Sequence, residues 1–216
     1  MDDPSGQLSL PEAVQTPLQG DGDFRSEECI EILKEADIVI IGNPHFSMWR
    51  QYIAQLMKYE KSFLIIGNKN AITYKEIFPL IKNNKIWLGY TSPTDFMTPD
   101  GLTHKINGLA RWFTNLDIKK RHEPLFLTKK YDPELYPKYD NYDAINVDKV
   151  KDIPMDWDGI MGVPITFLDK FCSEQFEILQ SCASHGKTPK NIENESGFLN
   201  GKWVYSRILI RKKIKI

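Results

Sequence analysis

The stretch "ADIVIIGNPHFSMWRQY", residues 36–52, decides the fold. Its first half, "DIVIIG" at 37–42, is an unbroken β-branched run, the pattern of a parallel strand buried on both faces. The run stops at Asn43-Pro44-His45-Phe46, after which apolar residues recur at Trp49, Ile53, Leu56 and Met57, the spacing of an amphipathic helix over 47–60. "SFLIIGN", 62–68, then reads as a second buried strand. Upstream, "SEECIEILKEA", 26–36, offers Ser26 as N-cap and sets Cys29, Ile30, Leu33 and Ala36 on one helical face. The order helix, strand, helix, strand predicts an α/β fold with a largely parallel sheet.

Farther along, "TYKEIFPLIKNN", 73–84, predicts a helix that Pro79 kinks or ends. "KIWLGY", 85–90, and "ARWFTNL", 110–116, read as strands joined by the turn-rich loop 91–109, and the lack of a helix between them predicts an antiparallel pair at the sheet edge. Residues about 128 to 200 are rich in Pro, Asp and aromatic side chains without a sustained period, which predicts a separate irregular lobe. Asn200-Gly201 predicts a type I′ turn between two strands. The organisation expected is a polar segment over 1–18, an α/β domain over 19–127, and a second region over 128–216 ending in a hairpin and a basic tail.

A chain of 216 residues, 41% hydrophobic and 26% charged, can bury one substantial core, or one core with a smaller lobe. No apolar run is long enough to span a bilayer, and the acidic, polar start is unlike a secretory signal, so a cytoplasmic protein is expected. Cys29, Cys172 and Cys182 form no Cys-x-x-Cys pair, and the four histidines (45, 104, 122 and 185) are scattered, so no protein-held metal is expected. Charge is uneven: residues 1–37 hold ten acids and two bases, a net of −8, so with −1 overall the remainder carries +7. The clusters "KKRH", 119–122, and "RILIRKKIKI", 207–216, suit either a polyanion or a solvated rim.

Ligands of open α/β sheets bind beyond the carboxyl ends of parallel strands, which is where Asn43-Pro44-His45-Phe46 would sit. Pro44 fixes its own φ and keeps Asn43 out of the helical region, so the Asn43 amide can be held in one place. An amide oxygen, a carbonyl oxygen and the flat face of Phe46 make a pocket for a planar ring that carries an amine.

The tetrapeptide resembles the Asn-Pro-Pro-Phe/Tyr motif of methyltransferases that act on the amino groups of DNA bases. The blocks "GDGDFRSEECIEILKEADIV", "KSFLIIGNKNAITYKEIFPLIKNNKIWLGY", "GLARWFTNLD", "YDNYDAINVDKVKDIPMDWDGIMGVPITFLDK" and "YSRILIRKK" together resemble the EcoRI-type adenine-specific DNA methyltransferase family, from about residue 19 to the C-terminus. The resemblance implies a partial Rossmann-like methyltransferase sheet over 19–127, with parallel strands and an antiparallel edge pair, followed by a target-recognition region. It also implies methyl transfer from S-adenosylmethionine to the N6 amine of an adenine flipped out of double-stranded DNA. Asn43 and Pro44 would accept the two amine hydrogens and Phe46 would stack on the base, with no metal and no covalent intermediate. Asp23, beside Phe24, would accept from the cofactor adenine, or serve only as a turn residue of "GDGD". Asn68, Lys69 and Asn70 would line the cleft or touch DNA phosphate, or be solvated loop, and Arg211, Lys212 and Lys213 would face DNA.

Two departures stand out. His45 occupies the place of the second motif proline, where it leaves both acceptors in place but loosens the backbone and adds a titrating ring; a neutral loop substitution is favoured over a general base. The family's glycine-rich cofactor loop is not recognisable, since the only early Gly-x-Gly, Gly20-Asp21-Gly22, follows no strand. The chain is therefore expected to be the latter part of a family member, with a separate chain as one source of that loop. The alternatives are a catalytically inactive DNA-binding remnant and, less favoured, a methyltransferase acting on protein amides or RNA.

Overall fold

The computed structural model describes residues 17–98, 100–106, 108–182 and 197–213. Most of the polar segment 1–18, part of the lobe with His185, and the last three residues of the basic tail lie outside them. The chain divides into two units that part between Asp37 and Ile38.

In the first unit, helix α1 spans Glu27–Glu35, and the Ser26 side chain accepts from the Cys29 N–H at 3.2 Å, the cap expected from the sequence. Glu27 and Glu28 in the first turn and Lys34 in the last suit the helix dipole. The Glu28 carboxylate accepts from the backbone N–H groups of Gln19 (2.9 Å) and Gly20 (3.1 Å), so the segment before the helix folds back onto its first turn.

The second unit opens with β1 (Ile38–Ile41), α2 (Trp49–Lys58), β2 (Ser62–Asn68), α3 (Phe78–Lys82), β3 (Trp87–Leu88), β4 (Asp95–Met97), β5 (Thr103–Lys105) and β6 (Ala110–Thr114). The first sheet has the order β1-β2-β6-β3. β1 and β2 are parallel, with Ile38 opposite Ser62 and Ile41 opposite Ile65; β6 runs antiparallel to both β2 and β3. The sheet is thus mixed rather than largely parallel, because β6 enters reversed between β2 and β3. Trp49, Ile53 and Leu56 are the buried face of α2, one and two turns apart.

Three expectations need correction. β1 is not buried on both faces: it lies at the sheet edge, and Ile38 and Ile40 are 52% and 69% exposed. A β-branched run marks a strand but not how many neighbours it has. Pro79 does not end a helix; it sits in the first turn of α3, where its missing N–H has no intrahelical partner to lose. The loop 91–109 contains the β4–β5 hairpin, in register from Asp95 opposite Lys105 to Met97 opposite Thr103.

The irregular lobe proves to hold a regular second sheet. Its strands are β7 (Ala144–Asn146), β8 (Ile160–Pro164), β9 (Phe176–Cys182) and, after the short β10 (Phe198–Leu199) and β11 (Lys202–Trp203), β12 (Arg207–Lys212). The order is β7-β8-β12-β9, with β7 and β8 parallel and β12 antiparallel to both β8 and β9. Ile145, Met161, Val163, Ile178, Ile208 and Ile210 are buried within it. No alternation was visible because β8 and β12 bury consecutive residues, and their pairing joins segments far apart in sequence. Asn200 (φ 51°) and Gly201 (φ 71°) both lie in the left-handed region, as a type I′ turn requires.

Candidate active site

β1 and β2 point their carboxyl ends the same way, so the segments leaving them emerge at one sheet edge. Beyond Ile41, Gly42 and Asn43 are exposed and Pro44 is buried. His45 (φ −64°, ψ 109°) then turns the chain into a 3-10 turn over Phe46–Met48, closed by the Met48 N–H donating to the His45 carbonyl at 2.9 Å. That turn runs directly into α2. The buried proline anchors the tetrapeptide while its neighbours face out. Among the described residues neither the Asn43 amide nor the Pro44 carbonyl oxygen takes part in a hydrogen bond. Phe46 is 52% exposed. Two unspent acceptors and an open aromatic face therefore share one short, rigid turn.

Trp49 holds that turn to the sheet. Its indole N–H donates to the Ile66 carbonyl at 2.9 Å, and its ring meets Phe113 edge-on at 4.9 Å. Gly67 is what lets the indole approach, since a Cβ there would lie 2.6 Å from Trp49 Cζ2. Arg50, on the exposed side of α2, pairs with Glu76 at 3.6 Å and lies over the Tyr74 ring at 5.2 Å, which ties the segment after β2 to the same helix.

Asn68, Lys69 and Asn70 emerge at this edge, as expected. Asn68 is the last residue of β2, and its side-chain oxygen accepts from the Asn70 N–H at 2.8 Å to cap a 3-10 turn over Lys69–Thr73. That oxygen is committed to structure. The Lys69 N–H donates to the Leu109 carbonyl at 2.7 Å, while Asn70 is exposed and its carbonyl accepts from the Thr73 hydroxyl at 2.9 Å.

Asp23 and Phe24 belong to the first unit. Asp23 Oδ1 accepts from Arg25 N at 2.8 Å and Nε at 2.9 Å, and Oδ2 from Nη2 at 2.5 Å. Those hydrogen bonds lower the Asp23 carboxyl to about 2. The same guanidinium lies 5.6 Å from the centre of the Phe24 ring.

Arg211, Lys212 and Lys213 lie on and just after β12, in the second sheet. Arg211 pairs with Glu177 at 2.6 Å, and the Lys212 ammonium donates to the Met155 carbonyl at 2.6 Å with Asp158 at 3.3 Å. The basic tail is largely engaged within its own sheet, and only Lys213 is exposed without such a pair among the described residues. Three residues of the cluster "KKRH" are built in too, Lys119 being exposed. Lys120 reaches the Tyr90 carbonyl at 3.2 Å and Arg121 lies on the Trp87 ring at 3.5 Å. His122 bridges Asp117 (2.6 Å) and Glu174 (2.8 Å), joining the end of the first sheet to the start of β9.

The hydrogen bond that the His122 ring donates to Asp117, then the one to Glu174, raises the His122 pKa. Glu174 falls to about 2, chiefly through the Cys172 thiol and then through His122, and burial pushes Cys172 up. Among the described residues no group of His, Cys, Asp and Glu is arranged to hold a metal, and no helix is long and apolar enough to cross a membrane. Sequence reasoning missed the His122 bridge, because nothing local marks Glu174 as its partner. It also missed the outward aromatic face of the β10–β11 hairpin, although alternation in "FLNGKWVY" carried that signal.

The family model for the EcoRI adenine-specific methyltransferase matches residues 2–213. The chain is 50% identical over 213 residues to the type II methyltransferase M.EcoRI of Escherichia coli, covering 90% of this chain and 63% of that protein. It is 38% identical to the type II methyltransferase M.MgeORF184P of Mycoplasma genitalium, covering 93% of this chain and 72% of the relative. It is 36% identical to M.MpnI of Mycoplasma pneumoniae, covering 94% and 72%. The chain thus spans less than two thirds of the length of M.EcoRI. No solved structure matches it. A match along nearly the whole chain, with Asn43, Pro44 and Phe46 gathered on one turn, leads to one conclusion: the chain belongs to the EcoRI adenine-specific methyltransferase family.

Proposed function

We propose that the chain is a site-specific adenine-N6 DNA methyltransferase of a restriction-modification system, acting in the cytoplasm on an adenine flipped out of double-stranded DNA. The observation that carries this reading is the turn after β1, where the unengaged Asn43 amide and Pro44 carbonyl stand beside the exposed Phe46 ring. The exocyclic nitrogen of adenine is a weak nucleophile because its lone pair is delocalised into the ring. Asn43 Oδ1 and the Pro44 oxygen would each accept one of its hydrogens, pulling the nitrogen toward a pyramidal shape and localising the pair. Phe46 would stack on the base and replace the neighbour lost on flipping. Buried Pro44 and the Trp49 anchor hold these groups before substrate arrives, so little reorganisation accompanies reaction.

S-adenosylmethionine would supply the methyl group. Asp23 and Phe24 would hold its adenine: Arg25 already fixes the Asp23 carboxylate, which keeps lone pairs for an amine. Among the described residues no glycine-rich strand-turn-helix presents itself for the methionine end, and a separate chain carrying such a loop belongs to this proposal as a partner. β1, β2 and β3 run one way with β6 reversed among them, which supports reading the first sheet as part of a Rossmann-like methyltransferase domain. The second sheet and its hairpin are then the target-recognition region. Lys69, Asn70 and Lys213 remain for DNA phosphate, whereas Asn68, Arg211 and Lys212 act through the fold that they brace.

The test is transfer of labelled methyl from S-adenosylmethionine to duplex DNA, by the chain alone and with an upstream cofactor-binding fragment of the family. Incorporation in either arm supports the reading; none in both contradicts it.

A further inference from the structure

We propose that the outward face of the β10–β11 hairpin, carrying Phe198, Trp203 and Tyr205, is a surface that packs its rings against duplex DNA; this rests on the DNA methyltransferase reading above. The hairpin has two unlike faces. Leu199 and Val204 point inward, packed on the cluster of Tyr139, Ala144 and Leu209. Phe198 and Trp203 are direct cross-strand partners on the opposite face, and the Trp203 ring meets Tyr205 edge-on with centroids 5.6 Å apart. All three rings are exposed, Tyr205 by 64% and Trp203 by 42%. Adjacent exposed aromatic rings of this kind mark an interaction surface rather than an ordinary protein exterior.

The ribbon that carries them is braced. The Asp140 carboxylate accepts from both turn N–H groups, Asn200 at 3.2 Å and Gly201 at 2.8 Å. The Phe198 N–H donates to the Asn141 side chain at 3.0 Å, and the Phe198 carbonyl accepts from Asp140 N at 2.8 Å. Rings on a fixed ribbon lose little conformational freedom on binding.

Charge selects the occupant. Residues 197–213 include Lys202, Arg207, Arg211, Lys212 and Lys213 and no acid, and Lys202, the cross-strand partner of Leu199 next to the turn, is exposed at the edge of the ribbon. The nearby Asp140 keeps its negative charge, directed at the two N–H groups of the turn rather than at the rings. An acid-free ribbon of rings with an exposed lysine fits a polyanion that offers flat apolar faces, and duplex DNA offers both at a partly opened base step. Arg211 and Lys212, by contrast, are held by Glu177 and Asp158, so the hairpin offers rings and an exposed lysine where these two cations are already paired.

The experiment measures the affinity of the full chain for a fluorescein-labelled duplex of mixed sequence over a series of salt concentrations. The double substitution Trp203→Ala/Tyr205→Ala is expected to weaken binding about tenfold or more while leaving the slope of log K against log salt unchanged. Trp203→Phe/Tyr205→Phe, which keeps the rings, should retain most of the affinity, and Lys202→Ala should reduce the salt slope by about 1. A second measurement needs no variant: ultraviolet cross-linking of the wild-type chain to a 5-iodouracil-substituted duplex should yield adducts on Trp203 or Tyr205 by peptide mass spectrometry. Unchanged affinity of a folded double variant, or cross-links confined to other segments, would overturn the inference while leaving the methyltransferase reading intact. So would sedimentation in which the variant abolishes self-association and DNA binding persists. A wild-type chain that binds no duplex would overturn both.

Discussion

The indole N–H of Trp49 donates to the carbonyl of Ile66 across 2.9 Å, fastening the first turn of α2 to the strand beside β1, from which the chain leads into Asn43. This bond and the contact with Gly67 set the position of the candidate site. Trp49→Phe keeps an aromatic ring but leaves a buried carbonyl without its donor, and should lower stability by about 1 to 3 kcal/mol. Gly67→Ala forces a methyl against Trp49 Cζ2 and should cost about as much. Denaturant midpoints measure both.

His45 offers a change in the other direction. Its φ of −64° is the value a proline ring imposes, and its N–H serves no hydrogen bond among the described residues. His45→Pro should therefore be tolerated and should raise stability by about 0.4 to 1 kcal/mol, by restricting the unfolded chain. A lower thermal midpoint would show that the turn needs the freedom of a non-proline residue.

The His122 bridge predicts a pH dependence with two flanks. The folded pKa of His122 is raised, so its contribution is fully present below about 6.5, its unfolded value, and is lost as pH rises through the higher folded value. Glu174 is lowered to about 2 from 4.5, so its contribution is present above 4.5 and is lost as pH falls toward 2. The stability contributed by this cluster should peak between those flanks. His122→Gln should remove the alkaline flank from the unfolding free energy and weaken the acid one, the part held by the Cys172 thiol remaining; NMR titration of the wild-type ring to an apparent pKa below 6.5 would contradict the assignment.

The parts of this fold that announced themselves are local. Trp49, Ile53 and Leu56 repeat at helical spacing, β2 is a continuous apolar run, Ser26 caps α1, and Asn200-Gly201 can only turn one way. What escaped depends on distant partners. β8 and β12 bury consecutive residues and pair across more than forty positions, from Met161 opposite Ile210 to Pro164 opposite Arg207, so neither period nor turn residues point to the second sheet. The exposure of Ile38 and Ile40 depends on which strands flank β1, and no property of those residues encodes that. The candidate site divides in the same way. Asn43, Pro44 and Phe46 were legible because one rigid turn carries all three, whereas the occupation of Arg211 and Lys212 depends on Glu177 and Asp158, far off in sequence.

The central claim is that Asn43 and Pro44 accept from the N6 amine of a flipped adenine. Its most direct test is nuclease digestion of duplex DNA after incubation with S-adenosylmethionine and the chain, with the upstream fragment where that arm is the active one, and identification of the modified nucleoside by mass spectrometry. The account predicts N6-methyladenine from the wild-type chain and at least about a hundredfold less from Asn43→Ala at unchanged DNA affinity. Methylation at another position of the base, or N6-methyladenine formed equally well by Asn43→Ala, would contradict it.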